Sequence, residues 1–465
     1  MIEVENLIGG EYSTAAESFD DICPSDGSII ASIPRTMMVD DAVKAAENAQ
    51  PGWGALSLEQ RADWLDKIAD ALESQHRQLA ELEALDTGKP LEVAMEVDIS
   101  RSIENFRFFA EFSRNMPEEV FEMEDATNTV LRKPVGVVGL ISPWNLPLYL
   151  LTWKVAPALL MGNTIIAKPS EITPLTAHRL GQILCEIGFP AGVVNIVHGY
   201  GPEIGQSLVE HPAVKAISFT GGTATGRLVA RTAAPMFKKL SLELGGKNSS
   251  IILDDADLGL AVPGVVRAGF LNSGQICLCG SRILVHSSIY DEFLESFLAA
   301  VSELKIGPVI SENHMTKVLS FIDLAVAEGG DIVAGGLRSE DDGFHIEATV
   351  ITGLSHDSRT ATEEIFGPVV TIHRFDSDAE AVEMANCTDY GLAGSVWSKN
   401  RGEELAKQIE SGMVWVNTWL HRDLRVPFGG IKDSGVGREG GMWSLGFFSE
   451  AINICVKHND LQARV

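Results

Sequence analysis

The sequence predicts an α/β protein built on parallel sheets, and three observations carry that reading. Short β-branched runs alternate with helical patterns in the first half of the chain, a second region of the same kind follows Leu244, and the composition suits a large core. The alternation runs NTIIAKPS, a helix over 174–187, GVVNIVHG, a helix over 203–210, AISFTGG and a helix over 224–233. That order is expected of βαβ units. After Leu244, strands are expected at SSIILDD, RILVHSS, VVTIHRF and GSVWSKN. Of 465 residues, 45% are hydrophobic and 44 are glycine. This is enough for two or three globular domains and excludes a disordered chain.

Ahead of the alternation, residues 41–113 read as helices, with apolar residues at three- and four-residue steps. In DISRSIENFRFFAEFSRNM, this places Ile99, Ile103, Phe106 and Ala110 on one face. TNTVLRKPVGVVGLISP then reads as strand, as does the tail AINICVKH. No repeat, linker or low-complexity segment stands out, so the domains are expected to pack tightly. The most apolar stretch, 135–162, is broken by Pro143, Asn145, Pro147, Lys154 and Pro157 and does not read as a membrane span. The start, MIEVENLIGGEYS, lacks the basic and apolar regions of a signal peptide, which points to the cytoplasm.

Charge narrows the partners. The chain has 64 acidic and 36 basic residues, a net of −28. Such a surface repels nucleic acid phosphates and anionic membranes. An anionic small molecule would need local cations. Six cysteines are spread along the chain; only Cys277 and Cys279 are close, and one intervening residue does not make a zinc knuckle, so no metal is expected.

Five segments could carry chemistry, and each has a plainer alternative. In AISFTGGTATGRLVA, Gly221 and Gly222 follow a strand and precede a helix, which aims helix N-terminal amides at a pyrophosphate or simply makes a tight turn. In IIAKPSEITP, Lys168 and Glu171 sit at the end of an apolar strand, where open α/β sheets bind ligands. A carboxylate there accepts from the ribose hydroxyls of NAD and repels the extra phosphate of NADP; the alternative is a solvated loop. Cys277, among small residues in FLNSGQICLCGSR, is a candidate nucleophile, although buried cysteine is commonly inert; Cys279 is expected to pack. Glu243 is an acid inside the apolar run LSLELGGKNSS, where acids are seldom buried without a purpose or a partner; the plainer alternative is an ion pair with a lysine such as Lys247. Asn145, in SPWNLP, can donate to an oxyanion or cap a turn.

Together these segments are recognisable. PWN at 143–145, IIAKPSE at 165–171, FTGGTATGR at 219–227, LELGGKN at 242–248, GQICLCGSR at 274–282, EEIFGPV at 363–369 and PFGGIKDSGVGREG at 427–440 resemble the aldehyde dehydrogenase superfamily, over essentially the full length. The resemblance implies a Rossmann-like cofactor domain (1–114 and 134–244), an α/β catalytic domain (245–444) and a small β oligomerisation arm (115–133 and 445–465), in a homodimer or homotetramer. It implies NAD as cofactor. Cys277 aligns with the nucleophile, Glu243 with the general base and Asn145 with the oxyanion donor. Lys168, Ser170 and Glu171 align with contacts to the adenosine ribose, Gly221 and Gly222 with the pyrophosphate turn, and Glu364 with the nicotinamide ribose contact. Trp144, Leu244 and Phe366 align with other walls of the cofactor site.

The substrate is read from two arginines. By the resemblance, Arg101 and Arg422 fall in the substrate tunnel, at positions that are often apolar or aromatic in relatives, with Tyr149 and Trp153 flanking it. Two guanidinium groups suit a substrate with its own carboxylate. The alternative is two surface arginines paired with acids such as Asp98 or Asp423. The segments DISRSIENFRFFA, GQICLCGSRI and TWLHRDLR to GREGG resemble those of 2-aminomuconate and 2-hydroxymuconate 6-semialdehyde dehydrogenases, which implies such a semialdehyde as substrate. Arg107 and Arg425 are weaker candidates for the same task. A broader aliphatic, aromatic or succinate-type semialdehyde enzyme is the rival reading. A betaine aldehyde enzyme would want acids or aromatics around its cation, and a non-catalytic family member would be expected to lose Cys277, Glu243 or Asn145.

Overall fold

The computed structural model describes residues 1–458, and its chain is organised around two sheets and a short β arm. The first sheet has eight strands, in the order Gly435–Val436, Lys239–Glu243, Val214–Thr220, Val137–Ile141, Thr164–Lys168, Val194–Ile196, Asn6–Ile8 and Glu11–Ser13. Its five central strands are parallel and its edges antiparallel. The second sheet has seven strands, ordered Asp331–Ala334, Thr349–Thr352, Val369–Phe375, Arg282–His286, Ser249–Ile252, Ala393–Trp397 and Met413–Val416, and all but the first neighbouring pair are parallel. The expected α/β class with parallel sheets is therefore present, and the strands expected between 164 and 220 and after Leu244 all form.

Parallel strands are buried on both faces, which explains their continuous apolar runs. Every residue of Pro147–Leu160, the helix that backs the first sheet, is buried. Ser100–Arg114 packs against it, with Ile99, Ile103, Phe106 and Ala110 in the same cluster, as the helical spacing predicts. One detail differs from a single continuous helix. Residues Ala94–Ile99 form a π turn before the α-helix resumes. Ser100 Oγ donates to the Met95 carbonyl at 2.8 Å inside that wide turn, and Lys89 pairs with Asp98 at 2.7 Å, fully buried. Single π turns often mark functional sites; this one carries Glu96, Val97 and Arg101 onto the wall of a cavity.

The first 34 residues add five short strands that periodicity does not announce, because each spans only two to six residues. The arm is a three-stranded sheet in which Ser449–Lys457 pairs antiparallel with all of Ala126–Pro134, and Val120–Glu122 forms the other edge. Residues 459–465 of the range read as arm lie outside the described residues. Among the described residues, no helix is long and apolar enough to cross a membrane.

Candidate active site

The carboxyl ends of four adjacent strands in the first sheet line up in register. Glu243 pairs with Thr220, Phe219 with Ile141, and Ile141 with Lys168. Ligands of open α/β sheets bind at this edge. The chain leaves it as Pro143–Trp144–Asn145 after one strand and as Gly221–Gly222 after another. Gly222 then caps the helix Thr223–Ala233 without a side-chain bond, so the first amides of that helix keep free N–H groups.

Cys277 comes from the other side, on the loop between the helix Leu258–Phe270 and the strand Arg282–His286. The loop is held tightly. Asn272, Ser273 and Gly274 are left-handed in succession, at φ 52°, 55° and 71°. Such backbone persists only where its surroundings enforce it, and here they do. Gln275 Nε2 donates to the Asn272 and Pro308 carbonyls, and Asn248 Nδ2 donates to the carbonyls of Cys277 (2.7 Å) and Cys279 (2.9 Å). Cys279 is buried and packs, as expected.

Cys277 lies where two cavities meet. The first is walled by Trp144, Asn145, Gly221, Gly222, Glu243 and Leu244, with Glu364 and Phe366 opposite. The second is walled by Arg101, Tyr149, Arg422 and Phe428, and Cys277 closes its inner end as well. Burial, with the Glu243 and Glu364 carboxylates nearby, pushes the thiol up to about 12. A thiol in this state is neutral and needs a base to make it a thiolate. Asn145 is buried, and its Nδ2 donates to the Gln275 carbonyl at 2.9 Å. An amide nitrogen carries two hydrogens, so one remains. The Cys277 backbone N–H donates to no backbone carbonyl among the described residues.

Glu243 is buried, and neither carboxylate oxygen has a hydrogen-bond partner among the described residues. Burial holds it well above the usual carboxylate range, and the Glu439 carboxylate adds to this, against Lys154, Arg438 and Arg422. The alternative of an ion pair with Lys247 does not occur: Lys247 Nζ donates to the Thr360 carbonyl at 2.9 Å. Gly429, at φ 143°, makes room for Glu243, since a Cβ there would stand 2.6 Å from Glu243 Oε1.

The first cavity fits a dinucleotide. Among the described residues, Thr220 Oγ1 is buried without a partner beside the helix N-terminus, and a Cβ on Gly245 would fall 2.4 Å from the Glu364 carboxylate. Glu364 Oε1 accepts from the Gly246 N–H at 2.9 Å, and Trp144 meets Phe366 edge to face at 5.3 Å. Lys168, Ser170 and Glu171 stand apart from the wall that reaches Cys277. Lys168 pairs with Glu171 at 2.5 Å, and Glu171 accepts from the Gly201 N–H at 3.3 Å. They occupy the same sheet edge two strands from Thr220.

Several wall residues escape a motif reading. His314 and Lys317, one turn apart on the helix Glu312–Ala327, brace the Glu364–Phe366 loop. His314 Nε2 bonds the Phe366 carbonyl at 2.7 Å, and Lys317 Nζ donates to the Glu364 carbonyl at 3.2 Å. Burial lowers His314 to about 4, so the ring is neutral. Their i, i+3 spacing was the signal available. Leu150 lines both cavities, and Arg267 lines the second.

The tunnel arginines separate into classes. Arg422 pairs with neither Asp423 nor Asp98; its Nη1 donates to Tyr149 Oη at 2.7 Å, and its guanidinium lies 4.1 Å from the Phe428 ring centroid. Arg101 faces the tunnel but pairs with Glu104 at 2.9 Å. Trp153 does not reach the wall: it is fully buried and backs Arg422 at 5.3 Å. Arg107 pairs with Asp70 and Glu73, and Arg425 with Asp423, all away from the tunnel.

The description "Aldehyde dehydrogenase family" belongs to a family model that matches residues 12–454. The chain is 46% identical to a 2-aminomuconic semialdehyde dehydrogenase of Homo sapiens, over 98% of this chain and 99% of the relative. It is 45% identical to a 2-hydroxymuconic semialdehyde dehydrogenase of Pseudomonas sp. (strain CF600), over 98% and 100%. An aldehyde dehydrogenase of Bacillus cereus, solved as an NAD+ complex, is 38% identical with a TM-score of 0.95, over 98% of this chain and 96% of that one.

Proposed function

The chain belongs to the aldehyde dehydrogenase family, and on that premise we propose that it oxidises a carboxylate-bearing semialdehyde, of the 2-aminomuconate or 2-hydroxymuconate 6-semialdehyde type, to the dicarboxylate with NAD. The observation that carries this reading is that Cys277 stands on the wall of both cavities, one suited to a dinucleotide and the other lined by arginines. The names of the relatives at 45–46% identity support the same substrate class.

In the proposed reaction, Cys277 Sγ passes its proton to water and forms a bond to the aldehyde carbon, and the carbonyl electrons move to oxygen. The second Asn145 N–H and the Cys277 backbone N–H donate to that oxyanion. NAD, when bound in the first cavity, supplies the acceptor for hydride. Collapse of the oxyanion expels the hydride and leaves a thioester on Cys277. Glu243, held as a strong base by burial, takes a proton from water; the hydroxide attacks the thioester, and the carboxylate product leaves as the thiolate reforms. Arg422, with Arg101 beside it, binds the remote carboxylate. The arm supports a homodimer or homotetramer: it presents Phe121, Ile454 and Val456 to solvent beside unpaired strand edges.

The test is NADH formation with enzymatically generated muconic semialdehyde beside a simple aliphatic aldehyde. A kcat/KM at least roughly 10²-fold higher for the muconic substrate is expected, since a site built for a charged group rejects analogues lacking it. Equal turnover would leave the thioester chemistry and remove the substrate class.

A further inference from the structure

The substrate tunnel carries three arginines, and they are not equivalent. Arg422 is the inner one, laid against Phe428 and Trp153 and fixed by Tyr149. Arg101 is neutralised by Glu104, which shares the wall with Glu96. Arg267, in the last turn of Leu258–Phe270, lines the same tunnel but is exposed to solvent. Among the described residues, it alone of the three has neither a carboxylate nor a hydroxyl partner. Its guanidinium lies 5.5 Å from the Trp419 ring centroid, and the Trp419 indole N–H is in turn tied to the Leu278 carbonyl at 2.9 Å, one residue past the nucleophile.

This arrangement matters because of the charge of the rest of the molecule. With a net charge of −28, the surface repels an anionic aldehyde at long range. The two acids on the tunnel wall oppose it at short range. An unpaired guanidinium held on an aromatic face is preorganised, so it loses little freedom on meeting a carboxylate. A lone basic residue in the last helical turn also complements the helix dipole, but that role does not require a place on the tunnel wall.

We propose that Arg267 is the capture cation at the tunnel mouth, which draws in the carboxylate of an anionic aldehyde before Arg422 takes it over deeper inside. This rests on the proposed carboxylate-bearing substrate and adds a residue to its recognition. Capture acts on encounter. It therefore changes kcat/KM and its dependence on salt, and leaves kcat alone.

The experiment compares R267Q and R267K with the parent enzyme, using NAD and either the muconic semialdehyde or hexanal, from low ionic strength to about 0.5 M salt, where the Debye length is only a few ångströms. R267Q is expected to lose about 3–10-fold in kcat/KM for the muconic substrate at low salt. Its kcat should hold, the loss should close as salt rises, and hexanal turnover should not change. R267K, which keeps the charge, should recover most of the loss. An R267Q enzyme equal to the parent at low salt, or one that loses equally on hexanal, overturns the capture role. Failure of the substrate reading itself would show in the parent alone, as no preference for the charged aldehyde over hexanal.

Discussion

On one side of Cys277 a carboxylate is buried without a partner; on the other, a guanidinium is half-buried without a carboxylate. Among the described residues, Glu243 lacks any hydrogen bond to its oxygens, and burial together with Glu439 keeps it basic. Arg422 has its charge spread against Phe428 and Trp153 and one nitrogen on a phenol. Elsewhere some interior charges are paired, Lys154 with Glu439 at 2.8 Å and Lys89 with Asp98 at 2.7 Å, and others, such as Lys238 and Lys247, rest on backbone carbonyls. A buried charge left unpaired opposes folding, so charges kept uncompensated in a cleft point to use rather than structure. The difference between the two cavities lies in which ion each leaves wanting: a proton for Glu243, an anion for Arg422.

The sharpest way to break the comparison is at the residue both cavities share. Replacing Cys277 with alanine is expected to lower kcat by roughly 10⁴-fold or more for charged and neutral aldehydes alike, because among the described residues no other cysteine lies on either wall. The measurement is steady-state NADH formation on both substrates; a variant that kept a tenth of its activity would remove Cys277 from the chemistry.

Glu243→Gln should separate the two halves of the reaction. Steady-state turnover is expected to fall about 10²–10⁴-fold, while a rapid-mix experiment should still show close to one NADH per site before the thioester stalls. The pH dependence has a definite sign. Burial raises the Glu243 carboxyl, so in the parent the base is progressively lost as pH falls through that raised value, and thioester hydrolysis slows. The Cys277 thiol, pushed up to about 12, likewise favours alkaline pH. Hydrolysis of a preformed acyl-enzyme should therefore rise with pH in the parent and lose most of that slope in the variant. An unchanged slope would place the general base elsewhere.

The two cavities were not equally legible in the sequence. Asn145, Glu243, Cys277, Glu364 and Phe366 each sit in a short block with glycine or proline neighbours, because the backbone there is held in a particular shape over a few residues: the left-handed run before Cys277, and Phe366, itself left-handed at φ 64°, ahead of Gly367. Requirements of that kind are written locally. The tunnel wall is assembled from the helix after the π turn, the helix Pro147–Leu160, the end of Leu258–Phe270 and the loop near 420. None of these announces its neighbours. Arg267 reads as an ordinary basic residue at a helix end, and Trp153 as a tunnel residue, until packing puts the first on the wall and the second behind Arg422. His314 and Lys317 were hidden for the same reason, since they act on a loop about 50 residues away. The parallel sheets, by contrast, follow from apolar runs alone, whereas the five strands before residue 35 are too short to show a period.

The tunnel itself can be graded by charge. Arg422→Ala removes a guanidinium with no competing acid, and a charge-assisted bond of about 1.5–3 kcal/mol is at stake. For the muconic substrate, kcat/KM is expected to fall about 10–100-fold, mostly through KM, with hexanal nearly unaffected. Arg101 starts from a different position, because Glu104 already occupies it at 2.9 Å and both side chains meet solvent. An exposed ion pair is worth at most about 1 kcal/mol, so the substrate exchanges one carboxylate for another at little gain. Arg101→Ala should therefore cost only about two- to fivefold. Glu104→Gln provides the opposite sign: it frees Arg101 and should lower KM by a similar factor. Measured together on the two aldehydes, a KM that falls in E104Q and rises in R101A, for the charged substrate only, would make Arg101 a working anchor. A KM indifferent to both would leave Arg422 as the inner anchor and Arg101 as the partner of Glu104.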